Sequence, residues 1–454
     1  MSQNIVVICT DQMRADAVGD STPNVTRLAE KGVRFTNAYC ASPLCQPSRT
    51  SLVTGLFPSQ TGICGNQSPP MSHALRDDTF MHHLQEAGYY TALIGKHHYI
   101  DRYGLGVDVT KDDKEVQRYG FDHVFQVTDD GENLLNDDRY TMHLAEKGLL
   151  EKFRRIKVLP NHNDAHFEHP FDAEDTVDGF IGATAAKFVD RYEGDKPFYL
   201  FVSFIGPHPP LWHPNPLRHS PGDMMPPING SDDDEARTKR AHYMDRCFDI
   251  DQYVGNLVTA LERRGIIDNT WIVFTSDHGD TLGDHGKWDK RFMYESSAKV
   301  PLVISGPSLS ADDRLDGPRV SRALVSHLDL YPTLLSIAGV KQTGSVAAPR
   351  FGRNLLDVLS HLPRSCHEEV FAELATTVMI RTPNWKLAFD PQQGGVQHLF
   401  NLVIDPQERE NLAGRPEYDS VVKDLVERIL AHKIRQTQFT HAKEEQRLQR
   451  VHVE

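Results

Sequence analysis

The chain has 454 residues, 39% of them hydrophobic and 25% charged, enough for one large domain with a smaller one attached or for three ordinary ones. Its formal net charge of −14 argues against non-specific binding to nucleic acid or to an acidic membrane surface, although a single basic pocket for an anionic substrate stays compatible with it. No apolar run approaches the length of a bilayer span, and the opening run IVVIC is too short and lacks the basic flank of a secretory leader. A cytoplasmic protein without nucleic-acid or membrane partners is the expectation. The six cysteines (Cys9, Cys40, Cys45, Cys64, Cys247 and Cys366) are scattered without a CxxC pair, so neither a zinc site nor a disulfide framework is indicated.

Strand and helix signals alternate through the first three quarters. IVVIC (5–9) reads as a buried strand, and TPNVTRLAEKG (22–32) as a helix with Thr22 as cap, Pro23 in its first turn and Gly32 at its end. In SPLCQPSRTSLVTG (42–55), Pro47 suits a first helical turn and Gly55 the position just past the end, which puts Cys45 at a helix N-terminus. A helix at 79–88 leads into the strand YYTALI (89–94), a helix at 179–192 into FYLFVSFI (198–205), and a long helix near 236–264 into TWIVFTS (270–276). PLVIS (301–305) is one more buried strand. This order predicts an α/β fold: a large, mostly parallel sheet sandwiched by helices. Region 100–178 has weak periodicity and reads as site-shaping loops. Past residue 340 the order changes to EVFAEL, VMIRTPNWKLAF and QHLFNLVID, then a helix near 416–435. The expected organisation is a catalytic domain over 1–350 and a smaller C-terminal subdomain over 351–454, an antiparallel sheet plus helix. Its highly charged tail reads as a solvated helix or frayed end, with a homo-oligomer contact as the second reading.

Ligands of parallel α/β sheets bind at the carboxyl ends of the strands. After IVVIC come Asp11 and Gln12; after YYTALI, Lys96, His97 and His98; after FYLFVSFI, His208; after TWIVFTS, Asp277 and His278. Asp11, Gln12, Asp277 and His278 offer three oxygen-type side chains and one imidazole, a set suited to a hard divalent cation, calcium first and magnesium or manganese as alternatives. Lys96, His98, His208 and Arg49 offer positive or donor groups. A metal beside cationic donors suits a tetrahedral oxyanion, sulfate or phosphate. No GxxxxGK[ST] loop and no GxGxxG after the first strand points to a nucleotide.

The run CQPSRTSLVTG resembles the signature of the type I sulfatases of the alkaline phosphatase superfamily, with Cys45, Pro47, Ser48, Arg49 and Gly55 in place. TDQ, GKHH, PHPP, TSDHGDTLGDHGKWDK, HLDLYPTLLSIAG and HLFNLVIDPQERENLA resemble further family blocks in family order, so that the likeness spans nearly the whole chain. The resemblance implies that a maturation enzyme converts Cys45 to formylglycine, whose hydrate is the nucleophile. It implies that Asp11, Gln12, Asp277 and His278, with the modified Cys45, hold one divalent metal, and that Asp277 helps to deprotonate the hydrate. Arg49 would steady the hydrate, Lys96, His98 and Lys290 would bind the sulfate oxygens, His208 would face the leaving-group oxygen, and His98 would act as the later base. Lys287 competes with Lys290 for its role. Two departures from the family pattern are Gln12, where many relatives carry Asp, and Gln46, where a small residue is common.

The implied function is hydrolysis of a sulfate monoester: a sulfated carbohydrate, an aryl sulfate or a small alkyl sulfate such as choline sulfate. The alternative is a phosphonate monoester or phosphodiester hydrolase of the same superfamily, against which Lys96 and His98 weigh. An inactive protein that binds sulfated ligands is the remote alternative. The segment 161–171, with His73 and Arg102, is expected to shape the leaving-group pocket.

Overall fold

A computed structural model describes residues 2–100, 106–129, 131–156, 166–213, 216–310, 319–341, 348–359 and 366–451. The sequence expectation of a mostly parallel sheet covered by helices holds. Eight strands form one sheet: β1 (Asn4–Asp11), β2 (Gly32–Tyr39), β3 (Tyr90–Gly95), β4 (His123–Gln126), β6 (Phe198–Pro207), β8 (Thr270–Ser276), β9 (Lys299–Ser305) and β10 (Arg319–Ser326). Their order across the sheet is β10-β2-β9-β8-β1-β6-β3-β4. Every pair is parallel except those of β9, which runs against both β2 and β8. A short pair, β5 (His166–Glu168) and β7 (Leu211–His213), lies apart from it.

The strands form where the chain is apolar on both faces. All eight residues of β1 and all ten of β6 are buried, as a strand covered on two sides requires. Ile5, Val7, Tyr199 and Trp271 belong to the core on one face, and Val6, Ile8, Leu200 and Phe274 to that on the other. The alternation follows from the period of two along a strand. Helices α1 (Pro23–Glu30), α2 (Cys45–Thr54), α3 (Phe80–Glu86), α4 (Val177–Arg191), α5 (Asp234–Arg263) and α6 (Leu330–Ile337) supply the covering layers. Gly95 shows how tightly β3 and β6 run together. It has φ +106°, and a Cβ there would lie 2.0 Å from the Ser203 carbonyl oxygen.

Strands β2, β4 and β10 lie outside the sequence reading. β4, four residues at one edge of the sheet, falls among the loops expected over 100–178, and β2 and β10 mix polar with apolar residues and lack a continuous apolar run. The run VMIRTPNWKLAF also divides. It forms β12 (Thr377–Arg381) and β13 (Trp385–Asp390), which pair antiparallel with β11 (Val370–Leu374) and β14 (Gly395–Asn401) in the order β11-β12-β13-β14. Pro383 cannot donate to a ladder and falls in the turn between β12 and β13. The final helix, α7 (Asp419–Val451), runs well past the expected 435 and packs Leu425 and Ile429 on this small sheet. Among the described residues no helix is long and apolar enough to cross a membrane.

The two sheets meet through buried charge. Glu295, at the end of the loop after β8, receives Tyr39 Oη at 2.9 Å and Lys386 Nζ at 3.1 Å, and its amide donates to Glu408 Oε2 at 2.7 Å. Lys386 also pairs with Glu408. Burial opposes ionisation of Glu295, but Lys386 and Lys299 outweigh it and hold the carboxyl down at about 2. Burial and the neighbouring Glu295 push Glu408 up to about 7 despite Lys386. An acid whose folded pKa is raised is favoured protonated, so its contribution is fully present below the unfolded value and is lost as pH rises through about 7. We expect the thermal stability of the wild type relative to Glu408→Gln to fall between about pH 5 and pH 7.5, by on the order of 1–3 kcal/mol read by calorimetry. A difference between the two proteins that does not fall across that window refutes the assignment.

Candidate active site

The four strands β8, β1, β6 and β3 are neighbours at the centre of the sheet. Residues at their carboxyl ends therefore converge: Asp277 and His278, Asp11 and Gln12, His208, and Lys96. Helix α2 brings Cys45 to the same edge. All ten of its residues are buried; Leu44 at its N-cap supplies no side-chain bond, and the Gln46 amide of the first turn donates instead to Asn66 Oδ1 at 3.0 Å. Gly55 ends the helix at φ +68°, and a Cβ there would stand 2.9 Å from the Tyr331 Cβ.

Ligand atoms of Asp11, Cys45, Asp277 and His278 all lie within 4.8 Å of one another, and all four residues are buried. Cys45 Sγ is 3.2 Å from His278 Nε2 and 4.0 Å from Asp11 Oδ1. His278 Nδ1 bonds the Gly279 carbonyl at 2.9 Å, which leaves Nε2 directed at the cluster. Arg49, one turn along α2, donates from Nε to Asp277 Oδ2 at 2.8 Å and from Nη2 to Asp11 Oδ2 at 3.1 Å. Its Nη1 reaches Ser203 Oγ at 2.8 Å and the Lys96 carbonyl at 3.3 Å.

The electrostatics call for a cation at this point. Burial opposes ionisation of Asp11, yet Lys96, His208 and Arg49 together hold it well below the carboxylate range. Asp277 is pushed up by burial and by Asp11 beside it. Burial resists a charge on His278, but Asp277 and Cys45 raise it to about 9. Two carboxylates, an imidazole nitrogen and a sulfur position, walled from water and pulling positive charge inward, fit a divalent cation.

The anion side is built from longer side chains. Lys96 Nζ touches Asp11 Oδ2 at 2.6 Å and Asp129 Oδ1 at 2.5 Å as ion pairs, neither approach lying in line for a hydrogen bond. Lys290 Nζ donates to Gln12 Oε1 at 2.9 Å. Of the two lysines open in the sequence, Lys290 is buried, whereas Lys287 is exposed over the Phe292 ring at 5.8 Å. Burial and Asp11 resist ionisation of the Cys45 thiol, but Lys290, Lys96 and His278 hold it well below its ordinary value. His208 is lowered to about 4 by burial and by Lys290. His98 has φ +56°, and its Nδ1 is buried without a partner among the described residues.

Gln12, read from the sequence as a metal ligand, makes hydrogen bonds with its side-chain amide. Its backbone is left-handed at φ +69° and its amide is committed. Nε2 donates to Asp280 Oδ2 at 2.6 Å and to Asp289 Oδ1 at 2.8 Å, while Oε1 receives Lys290. It ties the lysine-bearing loop to the end of β1. His97 bonds Gln126 Oε1 at 2.9 Å. His73 is exposed beside Arg76. Arg102 and residues 161–165 lie outside the described residues.

Sequence reasoning missed Asp129 and His327. Asp129 follows β4, an edge strand with no clear sequence signal. His327, buried and lowered to about 3 by that burial, sits behind α2, 3.4 Å from Ser48 Oγ and 3.1 Å from Thr275 Oγ1. It lies in HLDLYPTLLSIAG, a block quoted for its family likeness alone.

An open α/β sheet with this donor set at its switch edge is that of a hydrolase of alkaline phosphatase-like fold. The family model "Sulfatase" matches residues 3–340, and that of the "N-sulphoglucosamine sulphohydrolase, C-terminal" region matches 283–436. The chain belongs to the sulfatase family and is a hydrolase of sulfuric esters. It is 30% identical over 469 residues to a choline-sulfatase of Rhizobium meliloti (strain 1021), covering 91% of this chain and 83% of that one. It is 28% identical over 473 residues to an arylsulfatase of Clostridium perfringens (strain 13 / Type A), covering 95% and 94%. The crystal structure of a phosphonate monoester hydrolase of Agrobacterium radiobacter shares the fold, with TM-score 0.77 at 23% identity over 95% of each chain.

Removing Arg49 leaves two buried carboxylates facing each other. Arg49→Met is expected to lower the stability of the metal-free protein by about 3–5 kcal/mol in thermal or denaturant unfolding. A loss below about 1 kcal/mol, the scale of an exposed pair, contradicts the bridging role.

Proposed function

We propose that the protein hydrolyses small sulfate monoesters through a formylglycine made from Cys45 by a maturation enzyme, with one divalent cation, calcium first, held by Asp11, the modified Cys45, Asp277 and His278. The observation that carries this reading is the position of Cys45. It stands at the N-terminus of α2, 3.2 Å from His278 and under the fields of Lys290 and Lys96. The choline- and aryl-sulfatase names of the relatives support small alkyl or aryl esters as substrates.

The cation would polarise a sulfuryl oxygen and favour the ionised nucleophile. The modified residue carries two hydroxyls on one carbon: one attacks sulfur, and the other, on losing its proton, expels sulfate and restores the aldehyde. Arg49 keeps Asp11 and Asp277 in place and α2 against them. Lys96 and Lys290 offset charge on the sulfuryl oxygens. His208 Nδ1 donates to the Pro209 carbonyl at 2.6 Å, which leaves Nε2 to face the leaving oxygen. Burial and Lys290 keep His208 neutral at about 4 in the free protein. A bound sulfate offsets that field, so His208 gains a proton with the substrate and passes it to the departing alkoxide. His98 takes the proton of the second hydroxyl.

The second reading, phosphonate monoester hydrolysis, is favoured by the fold likeness to such an enzyme. Matched aryl sulfate, aryl phosphonate and phosphodiester substrates separate the two, and a phosphonate preference by orders of magnitude overturns sulfate hydrolysis. Mass spectrometry of the Cys45 peptide should show loss of the thiol in active protein. Lys290→Ala is expected to lower kcat/KM on an aryl sulfate by about 100-fold or more, and Lys287→Ala by less than about twofold. Equal effects reject the assignment of Lys290. Chelation should lower the melting temperature and added calcium should restore it.

A further inference from the structure

Asp129 places a carboxylate on the anion side of this site, as Asp289 does 3.9 Å from Lys290 Nζ, where a sulfate binder gains nothing from negative charge. Asp129 is 16% exposed at its side chain and contacts Lys96 Nζ through Oδ1 at 2.5 Å. It lines the same cavity as Lys96 and His98. Lys96 already pairs with Asp11 at 2.6 Å. One ammonium thus faces two carboxylates as ion pairs. Burial resists the charge on Asp129, but Lys96 and His208 outweigh it, so the carboxylate is ionised among the groups that receive the anion.

Shape cannot separate sulfuryl from phosphoryl groups, since both are tetrahedral with similar oxygens. Charge can. A sulfate monoester carries one negative charge at neutral pH, whereas a phosphate monoester carries about 1.5 to 2. A cation with Lys96, Lys290 and Arg49 would draw the dianion more strongly, by Coulomb attraction alone. Among the described residues Asp129 is the carboxylate on Lys96 that is not part of the four-residue metal cluster. Its repulsion grows with each added charge on the ligand, which makes it an element acting against the wrong substrate.

We propose that Asp129 is a charge filter that favours monoanionic sulfuryl esters over dianionic phosphoryl ones. The inference rests on the sulfate-ester reading above and adds its specificity determinant. Asp129→Asn keeps the size and removes the charge. Benzenesulfonate, a monoanion, and phenylphosphonate, a dianion at about pH 8.5, probe the difference by equilibrium calorimetry on the metal-loaded full chain. In Asp129→Asn the affinity for phenylphosphonate should rise about tenfold or more relative to that for benzenesulfonate. Asp129→Ala should move the ratio the same way, which separates lost charge from any new contact of the asparagine amide.

An unchanged ratio in both variants overturns the filter, as does phenylphosphonate that binds neither wild type nor variant. A selective rise in KM for an ammonium-bearing sulfate ester, with the ratio unmoved, would instead make Asp129 a receptor for a cationic leaving group, and that also overturns the proposal. Turnover is not needed for this measurement. A phosphonate preference in the substrate comparison therefore defeats the sulfate-ester reading, and an unmoved affinity ratio defeats the filter, as separate results.

Discussion

Two buried carboxylates bridged by one guanidinium organise this molecule. Asp11 and Asp277 end adjacent parallel strands, and Arg49 reaches both from the first turns of α2. Like charges so placed repel, so the arrangement stands only with positive charge on it. Arg49 supplies part of that charge and in doing so fixes the helix that carries Cys45. Lys96 supplies more from β3. The remaining demand, seen in the raised His278, is what makes the cluster fit a divalent cation. The same demand for charge pairing holds the fold and prepares the chemistry.

The surroundings transmit that constraint outward. The Lys290 loop is anchored to the end of β1 through Gln12, whose amide joins Asp280, Asp289 and the lysine itself. A carboxylate at this position would place a third negative charge against Asp280 and Asp289; the neutral amide donates to both. Farther along, the loop ends at Glu295, where Lys386 of the small sheet holds it. The C-terminal sheet thus braces the segment that carries Asp277, His278 and Lys290.

The central strands were legible because a strand buried on both faces must be apolar throughout, and IVVIC, FYLFVSFI and TWIVFTS are. Their polar termini were legible for the complementary reason: a charged residue directly after such a run needs a partner at the sheet end. The edge strands β4 and β10 carry no such continuous run, so they and Asp129 were not visible. Gln12 was read as a ligand from its place beside Asp11. Its left-handed backbone and its bonds to a loop about 270 residues away could not be read from neighbours in the chain.

By itself the sequence determined the α/β class, the strands that form the sheet centre and the residue types at their ends. These depend on local quantities: hydrophobic period, caps and turn residues. Tertiary structure buried Lys290 and left Lys287 exposed, bonded His97 to Gln126 and Gln12 to the Lys290 loop, and set Asp129 on Lys96. Each of those outcomes depends on which distant groups share a buried volume. Burial multiplies the energy of every charge pair there, and only the packed chain specifies the pairs.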